Sequence, residues 1–322
     1  MKKVLFGLFI LICTFFVLSF FYIKIAIYEK GNLVEPVNVI VDKGDGVKRI
    51  AWKLYKSGVI KSPLMFEWLT KAYKTEGGLR AGEYRFEPKI SMYDAMRQIE
   101  EGKVFLRRIT LPEGLTVKQM LDIIAQNDDL KGEISLEPKE GEMLPETYTF
   151  AYGDTKDSII KQASAAMKKF VGEQWKNRDD NLPLNDEKDL IILASIVEKE
   201  TGLAEERSLI ASVFINRLKK GMMLQTDPTV IYAITKGKTD LGRPLLRKDL
   251  KLDDDYNTYM RYGLPPTPIC SPSKEAILAV LHPQKSDFLY FVASGNGGHN
   301  FSKSLDEHNK NVSNYVKSQK KR

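Results

Sequence analysis

Cysteine and histidine are both scarce in this sequence, which has two cysteines and three histidines among its 322 residues. So few cysteines exclude a disulfide-rich scaffold and any zinc site that needs several thiolates. The two also cannot pair, because Cys13 lies in an apolar run that we interpret below as a membrane span, whereas Cys270 lies far downstream in the extracytoplasmic part. Since His282, His299 and His308 do not fall at the helical spacing of metal ligands, we expect neither a metal nor a cofactor.

Several catalytic motifs are missing as well. The sequence contains no His-Glu-x-x-His, no Gly-x-x-x-x-Gly-Lys-Ser/Thr and no Gly-x-Ser-x-Gly, which are signatures of zinc peptidases, P-loop proteins and serine hydrolases. The segment Gly295-Asn-Gly-Gly298 resembles a phosphate-binding loop only superficially, and we interpret it as a turn between strands. Any catalytic site must therefore use other side chains.

The excess of positive charge is small. Lys and Arg number 49 against 42 Asp and Glu, which gives a net charge of +7 at pH 7. So small an excess does not by itself imply a nucleic acid partner, because an anionic membrane or wall polymer fits such a charge equally well. We therefore expect no nucleic acid partner. Hydrophobic residues make up 43% and charged residues 28% of the chain, which excludes a collagen, a mucin-like stalk and a wholly disordered protein.

A long apolar run at the N-terminus is the clearest feature of the sequence. From Val4 to Ile23 it contains no charged residue, and about 20 such residues in a helix span the core of a bilayer. Because Lys2 and Lys3 precede the run, the positive-inside rule places the N-terminus in the cytoplasm. We expect a single-pass protein of the bacterial cytoplasmic membrane whose folded part is extracytoplasmic. A cleaved signal peptide is the alternative, but the run is long for one and no Ala-x-Ala-like site follows.

Changes in composition along the chain predict its domain organisation. A tether follows the anchor, strand and helix patterns follow the tether, and a stretch rich in Gly, Pro and Glu then precedes a mainly helical remainder. The predicted boundaries are 1–27 for the cytoplasmic start and anchor, 28–36 for the tether, 37–130 for the strand–helix module, 131–154 for the linker and 155–322 for the helical domain. We therefore expect an α+β protein.

Local patterns predict several elements within these regions. The strand Val37–Val41 and the strand Ile109-Thr-Leu111 each precede a helical pattern and form a weak repeat, with Gly82–Phe86 as a further strand between them. Ser91 is a candidate helix N-cap. In the second domain we predict helices over 158–175, 187–201 and 205–220, the last with Gly221 as its C-cap, and a long structured loop over 241–272.

The predicted helix over 187–201 brings one acid close to the core. Its apolar face consists of Leu190, Leu193, Ala194 and Val197. Glu200 lies roughly 50° from the centre of this face, and Glu198 roughly 110°. Burial would disfavour the charge of Glu200 and raise its pKa. A carboxylic acid that is protonated near neutral pH is what general-acid cleavage of a glycosidic bond requires.

Helix position alone leaves a structural alternative open for this acid. A Glu in the last turn of a helix is more often a surface residue or half of an ion pair. Arg207 or Arg217 would be the partner of Glu200 in that case.

A series of motifs resembles the endolytic murein transglycosylase family, which is also called MltG or YceG-like. The series begins with Ala194-Ser-Ile-Val-Glu-Lys-Glu-Thr201, Ala211-Ser-Val-Phe-Ile-Asn-Arg-Leu218 and Leu224-Gln-Thr-Asp-Pro-Thr-Val-Ile-Tyr232. It continues with Tyr256-Asn-Thr-Tyr259, Gly263-Leu-Pro-Pro266, Tyr290-Phe-Val-Ala293 and Gly298-His-Asn-Phe301. The resemblance runs from the anchor to the C-terminus. It implies a LysM-like subdomain ahead of a mainly helical catalytic domain with a lysozyme-like catalytic helix.

The resemblance also implies an activity and a catalytic residue. Members cleave nascent peptidoglycan between MurNAc and GlcNAc and leave a 1,6-anhydro-MurNAc end. Glu200-Thr201 stands where lysozyme-like transglycosylases have Glu-Ser, so that Glu200 is the expected acid and Thr for Ser is a departure from that wider pattern. The MurNAc 6-hydroxyl acts as the nucleophile, and no second carboxylate is needed to activate water.

Candidate sugar-binding residues follow from their chemistry. Gln225 and Asn257 offer amides for hydroxyl and N-acetyl groups, Tyr259 offers a ring for stacking, and Asn216 lies three residues after Val213 on its helix and either faces the cleft or bridges helices. We predict that Asp227, which precedes Pro228, is a helix N-cap. His299 and Asn300 match the family motif, but their chemistry predicts no role.

Two other functions remain open at this point. The chain could be a non-catalytic peptidoglycan-binding or cell-division scaffold, or a hydrolase that uses a second carboxylate such as Asp227 or Glu198 and leaves reducing ends. The family's link to wall synthesis suggests penicillin-binding proteins as partners.

Overall fold

The chain divides into two compact units. A computed structural model describes residues 2–295 and 297–319, with side chains from Phe6 onward. One unit comprises Met1–Arg107 with Thr149–Asp154, and the other comprises Arg108–Tyr148 with Thr155–Arg322. The first division falls between Arg107 and Arg108, inside the predicted 37–130 module. The fold is of mixed α/β type with mostly helical content, as the strand and helix patterns of the sequence predict.

Helix α1 (Lys2–Tyr28) contains the apolar run. Its segment Phe6–Tyr28 has 23 residues, and the most apolar part of this segment is not buried in the structure. At about 1.5 Å per residue such a helix is long enough to cross a bilayer. By length and composition α1 is therefore consistent with the predicted single-pass anchor. The charges of Lys2 and Lys3, on which the predicted orientation depends, lie outside the described side chains.

The rest of the first unit is built on one antiparallel strand pair. The elements are β1 (Val37–Val41), α2 (Val47–Lys56), α3 (Pro63–Tyr73), β2 (Gly82–Phe86) and α4 (Met92–Glu101). Strands β1 and β2 pair from Val37↔Phe86 to Val41↔Gly82. Ile50, Phe66 and Tyr84 are fully buried in the core that these elements share. The predicted strands are confirmed, and so is the Ser91 cap, whose hydroxyl accepts from Asp94 N at 3.0 Å.

Helix α3 was not expected from the sequence. It begins with a cap at Ser62, whose hydroxyl accepts from Met65 N, and with Pro63 in the first turn. Both are ordinary signals of a helix start. The predictions miss α3 because its apolar residues do not form a single stripe: Phe66 and Leu69 are buried, whereas Leu64 and Trp68 are exposed.

Strands β3 (Leu106–Thr110) and β4 (Thr147–Ala151) form a second two-stranded sheet. The prediction placed a strand at Ile109-Thr-Leu111, and the structure starts it three residues earlier and ends it at Thr110. Strand β4 lies in the segment predicted as linker. Its alternating burial, with Tyr148 and Phe150 inside, is the pattern that identifies a strand.

The second unit is mainly helical. Its helices are α5 (Val117–Ala125), α6 (Lys156–Gln174), α7 (Glu187–Glu200), α8 (Ala204–Lys219), α9 (Asp227–Thr235), α10 (Lys274–Leu281) and α11 (Leu305–Gln319). Strands β5 (Tyr290–Ala293) and β6 (His299–Ser302) form an antiparallel hairpin, so that the predicted turn at 295–298 connects two strands, although Asn296 itself is outside the described residues. The segment 241–272 contains one short 3₁₀ turn, at Asp249–Lys251.

Two details of the predicted helices need correction. The C-cap of α8 is Lys220, and Gly221 follows it in the left-handed region with φ of +64°. Helix α7 is buried on more than its predicted face, because every residue from Ile192 to Val197 is inaccessible. It packs against α8 and α10, which makes it a central helix of this unit.

Gly141 provides a test of the packing around α7. Its φ is +81°, and a Cβ there would lie 2.7 Å from Pro268 Cγ and 2.8 Å from Ile191 Cγ2. We expect Gly141→Ala to lower the free energy of unfolding by about 1–2 kcal/mol for the left-handed backbone and by about 1–3 kcal/mol more for the clash. Urea unfolding of the detergent-solubilised chain measures the loss, with Trp52→Phe and Trp68→Phe in the background so that the fluorescence reports on Trp175.

Gly132→Ala is the matched control. Its φ is +76° and a Cβ there would meet nothing within 4 Å, so that only the backbone cost applies. Equal losses for the two variants would contradict the close approach at Gly141.

Candidate active site

The end of α7 sets the position of Glu200. The helix starts at the Asp186 cap, whose carboxylate accepts from Asp189 N at 3.0 Å, and ends at Glu200 itself. Thr201 then turns extended, with φ of −146°, and its hydroxyl accepts from Leu203 N at 3.0 Å. Because the body of α7 is inaccessible, the half-buried Glu200 is where this central helix reaches the surface.

Thr226 is the hydrogen-bond partner of this acid. Its Oγ1 donates to Glu200 Oε1, and its side chain is almost completely buried. Thr226 is in turn fixed by two other threonines, since its N donates to Thr258 Oγ1 at 3.1 Å and its carbonyl accepts from Thr229 Oγ1 at 2.7 Å. The sequence predicted no role for Thr226. Three buried hydroxyls therefore hold one oxygen of the carboxyl group in place.

The surroundings raise the pKa of Glu200 above its ordinary value. Burial is the largest cause, and the negative charge of Asp227 acts in the same direction. The Thr226 hydrogen bond and the nearby His299 and Arg217 oppose it. A raised pKa favours the protonated acid that the sequence predicts at this position.

Neither arginine forms the ion pair that the structural alternative requires. Arg217 is buried, and its guanidinium donates to Leu289 O at 2.6 Å and to Leu224 O at 2.7 Å. Arg207 makes no ion pair in the part of the chain that the structure describes, and its buried Nε has no hydrogen-bond partner there. Glu200 likewise has no cation within ion-pair distance among the described residues. Its hydrogen bond to a neutral hydroxyl leaves the protonated form accessible.

The neighbouring acid Glu198 has a different environment. Its Oε2 accepts from Ser273 N at 2.9 Å and from the Ser273 hydroxyl. Ser273 is the N-cap of α10. Glu198 therefore contributes to the start of another helix and does not share the environment of Glu200.

Asp227 and Tyr259 form a second pair beside the acid. The N-cap of α9 is Thr226 and Asp227 is the first helical residue, so that the predicted cap is wrong by one position. Tyr259 donates its hydroxyl to Asp227 Oδ1 at 2.7 Å. Burial and this carboxylate raise the pKa of Tyr259, and the phenol stays a neutral donor.

Gln225 lies on the exposed side of the same segment. Its φ of +47° is in the left-handed region, which costs a residue other than glycine about 1–3 kcal/mol. Its N donates to Thr258 O at 3.1 Å, whereas its side chain is exposed. The strained residue thus immediately precedes the threonine that contacts Glu200, and its amide is available for a ligand.

The two predicted asparagines are occupied by contacts within the fold. Asn257 is completely buried and its amide donates to Leu250 O at 3.1 Å and Leu252 O at 2.7 Å. Asn216 is half-buried and donates to Ser286 O at 2.8 Å and Phe288 O at 3.0 Å. Asn257 holds the loop that carries Tyr259, and Asn216 fixes the segment after α10. Two of the four predicted sugar contacts lie beside the acid: Gln225 directly precedes Thr226, and Tyr259 hydrogen-bonds Asp227.

His299 is held by an acid that the sequence analysis missed. Its Nδ1 lies 2.6 Å from Glu206 Oε2, and its backbone N donates to Glu206 Oε1 at 2.8 Å. Glu206 is on α8, far away in sequence, and no local pattern links the two. The exposed Asn300 pairs with Val292 in the hairpin. The bonds of His299 to Glu206 fix the position of its imidazole ring.

Glu140 is a second half-buried acid, and the sequence analysis predicted no role for it. It accepts from Val117 N at 2.8 Å and hydrogen-bonds the Tyr232 hydroxyl of α9. Burial raises its pKa to about 7.

Among residues 2–295 and 297–319, no three His, Cys, Asp or Glu side chains are placed to hold a metal ion. A half-buried acid with a raised pKa and a fixed donor is the arrangement of a general acid–base site.

Comparison with known proteins identifies the family. Residues 39–314 match the model of the YceG-like family, and the chain belongs to this family. The endolytic murein transglycosylase of Bacillus subtilis (strain 168) is 34% identical over 331 residues, which cover 89% of each chain. The endolytic murein transglycosylase of Streptococcus pneumoniae serotype 2 is 30% identical over 335 residues, with 89% of this chain covered but 60% of the relative.

A solved structure supports the same assignment. The crystal structure of a yceG-like protein from Listeria monocytogenes superposes with a TM-score of 0.52 at 30% sequence identity. The superposition covers 86% of this chain and 98% of that chain.

Glu140 predicts a specific pH dependence of stability. Its pKa rises from 4.5 to about 7 on folding, so the stability that it contributes is complete below the ordinary pKa and lost as the pH rises through about 7. We expect the unfolding free energy of the wild type, relative to Glu140→Gln, to fall by about 3 kcal/mol between acidic and alkaline pH. The subtraction cancels the other titrating groups. A difference that stays constant with pH would contradict the assignment.

Proposed function

We propose that this chain is an endolytic murein transglycosylase that cleaves MurNAc–GlcNAc bonds in nascent glycan strands and thereby terminates their elongation. Glu200 is the general acid. The observation that carries the proposal is the contact of Glu200 with Thr226 at the end of a buried helix, in a chain of the YceG-like family. The raised pKa of Glu200 favours the protonated form, which is the proton donor that glycosidic cleavage needs.

One carboxyl group performs both proton transfers. Glu200 first gives its proton to the glycosidic oxygen as the bond from this oxygen to C1 of MurNAc breaks toward an oxocarbenium ion. The Glu200 carboxylate then takes the proton of the MurNAc 6-hydroxyl as that oxygen bonds to C1, which leaves a 1,6-anhydro-MurNAc end and regenerates the acid. Because the nucleophile belongs to the substrate, ring closure uses proximity in place of a bound water.

Thr226 suits both forms of the acid. Its donor bond to Oε1 stabilises the carboxylate that forms after the first transfer, and it leaves Oε2 for the sugar. The Asp227 carboxylate, which accepts from Tyr259, raises the pKa of Glu200 and so favours the protonated form that the first step uses. The two neighbours thus oppose each other in setting the acidity of one group.

The glycan strand then lies along the exposed side of this segment. Gln225 and Tyr259 are the proposed sugar contacts, because one amide is exposed and one ring is half-buried next to the acid. Asn216 and Asn257 act through the fold, since their amides bind backbone carbonyls. We retain them as positioning residues.

The first unit gives the enzyme its location. Two antiparallel strands enclose two helices in the order β1–α2–α3–β2, and we propose that this core is the LysM-like glycan-binding subdomain. Helix α1 anchors the chain in the cytoplasmic membrane, with Lys2 and Lys3 inside and both units outside. Penicillin-binding proteins and other wall-synthesis enzymes are the proposed partners.

Product analysis with Glu200→Gln tests the catalytic assignment. The Gln side chain keeps the hydrogen bond from Thr226 but has no proton to donate, and we expect release of 1,6-anhydro ends from purified glycan strands to fall by at least about 10³-fold. Mass spectrometry identifies the ends, because an anhydro end is lighter by one water than a reducing end.

Glu198→Gln is the control on the same helix, and we expect it to keep most of the activity. Undiminished release by Glu200→Gln would overturn the assignment. Reducing ends from the wild type would identify a hydrolase, and no cleavage at all by the folded wild type would favour the scaffold function.

Thr226→Val tests how the acid is tuned. The Thr226 hydroxyl lowers the pKa of Glu200, so its loss raises that pKa, and the basic limb of the pH profile of kcat/KM should move to higher pH. Thr226 makes no side-chain cap bond to α9, and valine therefore costs the helix nothing there. Thr226→Ser keeps the hydroxyl and should leave the limb unchanged. A limb that stays in place or moves downward for valine would contradict this role.

A further inference from the structure

Helix α3 presents a second apolar face to solvent. Leu64, Trp68 and Ala72 recur at every fourth position and share one side of the helix. Leu64 is 63% exposed and Trp68 is 70% exposed. The opposite side, with Phe66 and Leu69, is buried in the core of the unit. An exposed Leu and Trp on a helix that already has a core-facing side indicate a second contact surface.

This face lines a groove that α1 completes. Ile23, Ile27 and Tyr28 of α1 form its other wall. The hydroxyls of Tyr28 and Tyr73 hydrogen-bond each other at one end, and the rings of Tyr28 and Tyr93 lie 5.0 Å apart. The end of the apolar helix and the face of α3 therefore form one continuous apolar surface, which we call the α1–α3 groove.

The groove lies at the level where α1 leaves its apolar run. Ile23 to Tyr28 are the last turn and a half of the candidate span Phe6–Tyr28, which places them within about 8 Å of its end. Trp and Tyr concentrate at this depth of a bilayer, at the boundary between headgroups and acyl chains. Trp68, Tyr28 and Tyr73 all line the groove.

Basic side chains surround the same surface. Lys61, Lys71 and Lys74 are exposed at and beyond the ends of α3, against the single acid Glu67 within it. Lys61 also lies 3.8 Å from Glu29, just after α1. An apolar helix face with lysines at its edges is typical of helices that lie in the interface of a membrane with anionic lipids.

We propose that α3 lies in the headgroup–acyl boundary of the leaflet from which α1 emerges, with Leu64 and Trp68 inserted among lipids. The occupant of the α1–α3 groove is thus the bilayer itself. Continuity with α1 favours lipid over a protein partner, because one wall of the groove is the helix that the lipid already surrounds. The proposal rests on α1 spanning the membrane and is independent of the chemistry at Glu200.

Quenching by brominated lipid tests this insertion. The chain has three tryptophans, and Trp52→Phe with Trp175→Phe leaves Trp68 as the only one. The full chain is reconstituted in vesicles of phosphatidylcholine and phosphatidylglycerol whose acyl chains carry bromine. We expect the emission intensity of Trp68 in brominated vesicles to be at least about threefold lower than in unbrominated vesicles, because bromine quenches on contact.

The matched control keeps Trp52 instead. Trp52 is also exposed in the first unit, but it does not line the groove. Quenching of Trp68 that does not exceed that of Trp52 would overturn the proposal. Quenching that disappears when each vesicle holds a single copy of the chain would also overturn it, because this result would assign the exposed face of α3 to contact with a second chain. Leu64→Glu should reduce the quenching of Trp68 and leave strand cleavage by the second unit unchanged.

Discussion

The hydrogen bond from Thr226 to Glu200 is the contact on which the account of this protein depends. It joins the end of a central helix to the start of α9, and it fixes one oxygen of a carboxyl group whose surroundings resist ionisation. Without it, Glu200 would be a helix-terminal acid free to turn toward water. With it, the acid has one orientation and one free oxygen.

The rest of the second unit supports this contact from both sides. Burial of α7 from Ile192 to Val197 leaves its end no freedom to shift. On the other side, Thr258 and Thr229 hold Thr226, and the amide of Asn257 holds the loop that carries Thr258 and Tyr259. These are buried polar groups with satisfied partners, which specify a single arrangement. The strained backbone of Gln225 lies at the edge of this network.

Local patterns predict much of this arrangement, but not its contacts. Periodicity gives α7 and the choice of Glu200 over Glu198, because helix faces repeat along the chain. The predicted N-cap of α9 is wrong by one residue because Thr and Asp are both good caps. What distinguishes Thr226 from Asp227 is its tertiary hydrogen bond to Glu200. Asn216 shows the limit most clearly: an amide binds a sugar or a backbone carbonyl equally well, and residues 286 and 288 are distant in sequence. Glu140 and Glu206 were missed for the same reason.

The most direct measurement of the central claim is the titration of the Glu200 carboxyl itself, by infrared difference spectroscopy of the wild type against a chain that lacks this carboxyl. The account predicts a protonated-carboxyl band that persists at pH values above the ordinary pKa of 4.5. A carboxyl that ionises at or below its ordinary pKa would contradict the account, because Glu200 would then have no proton to give.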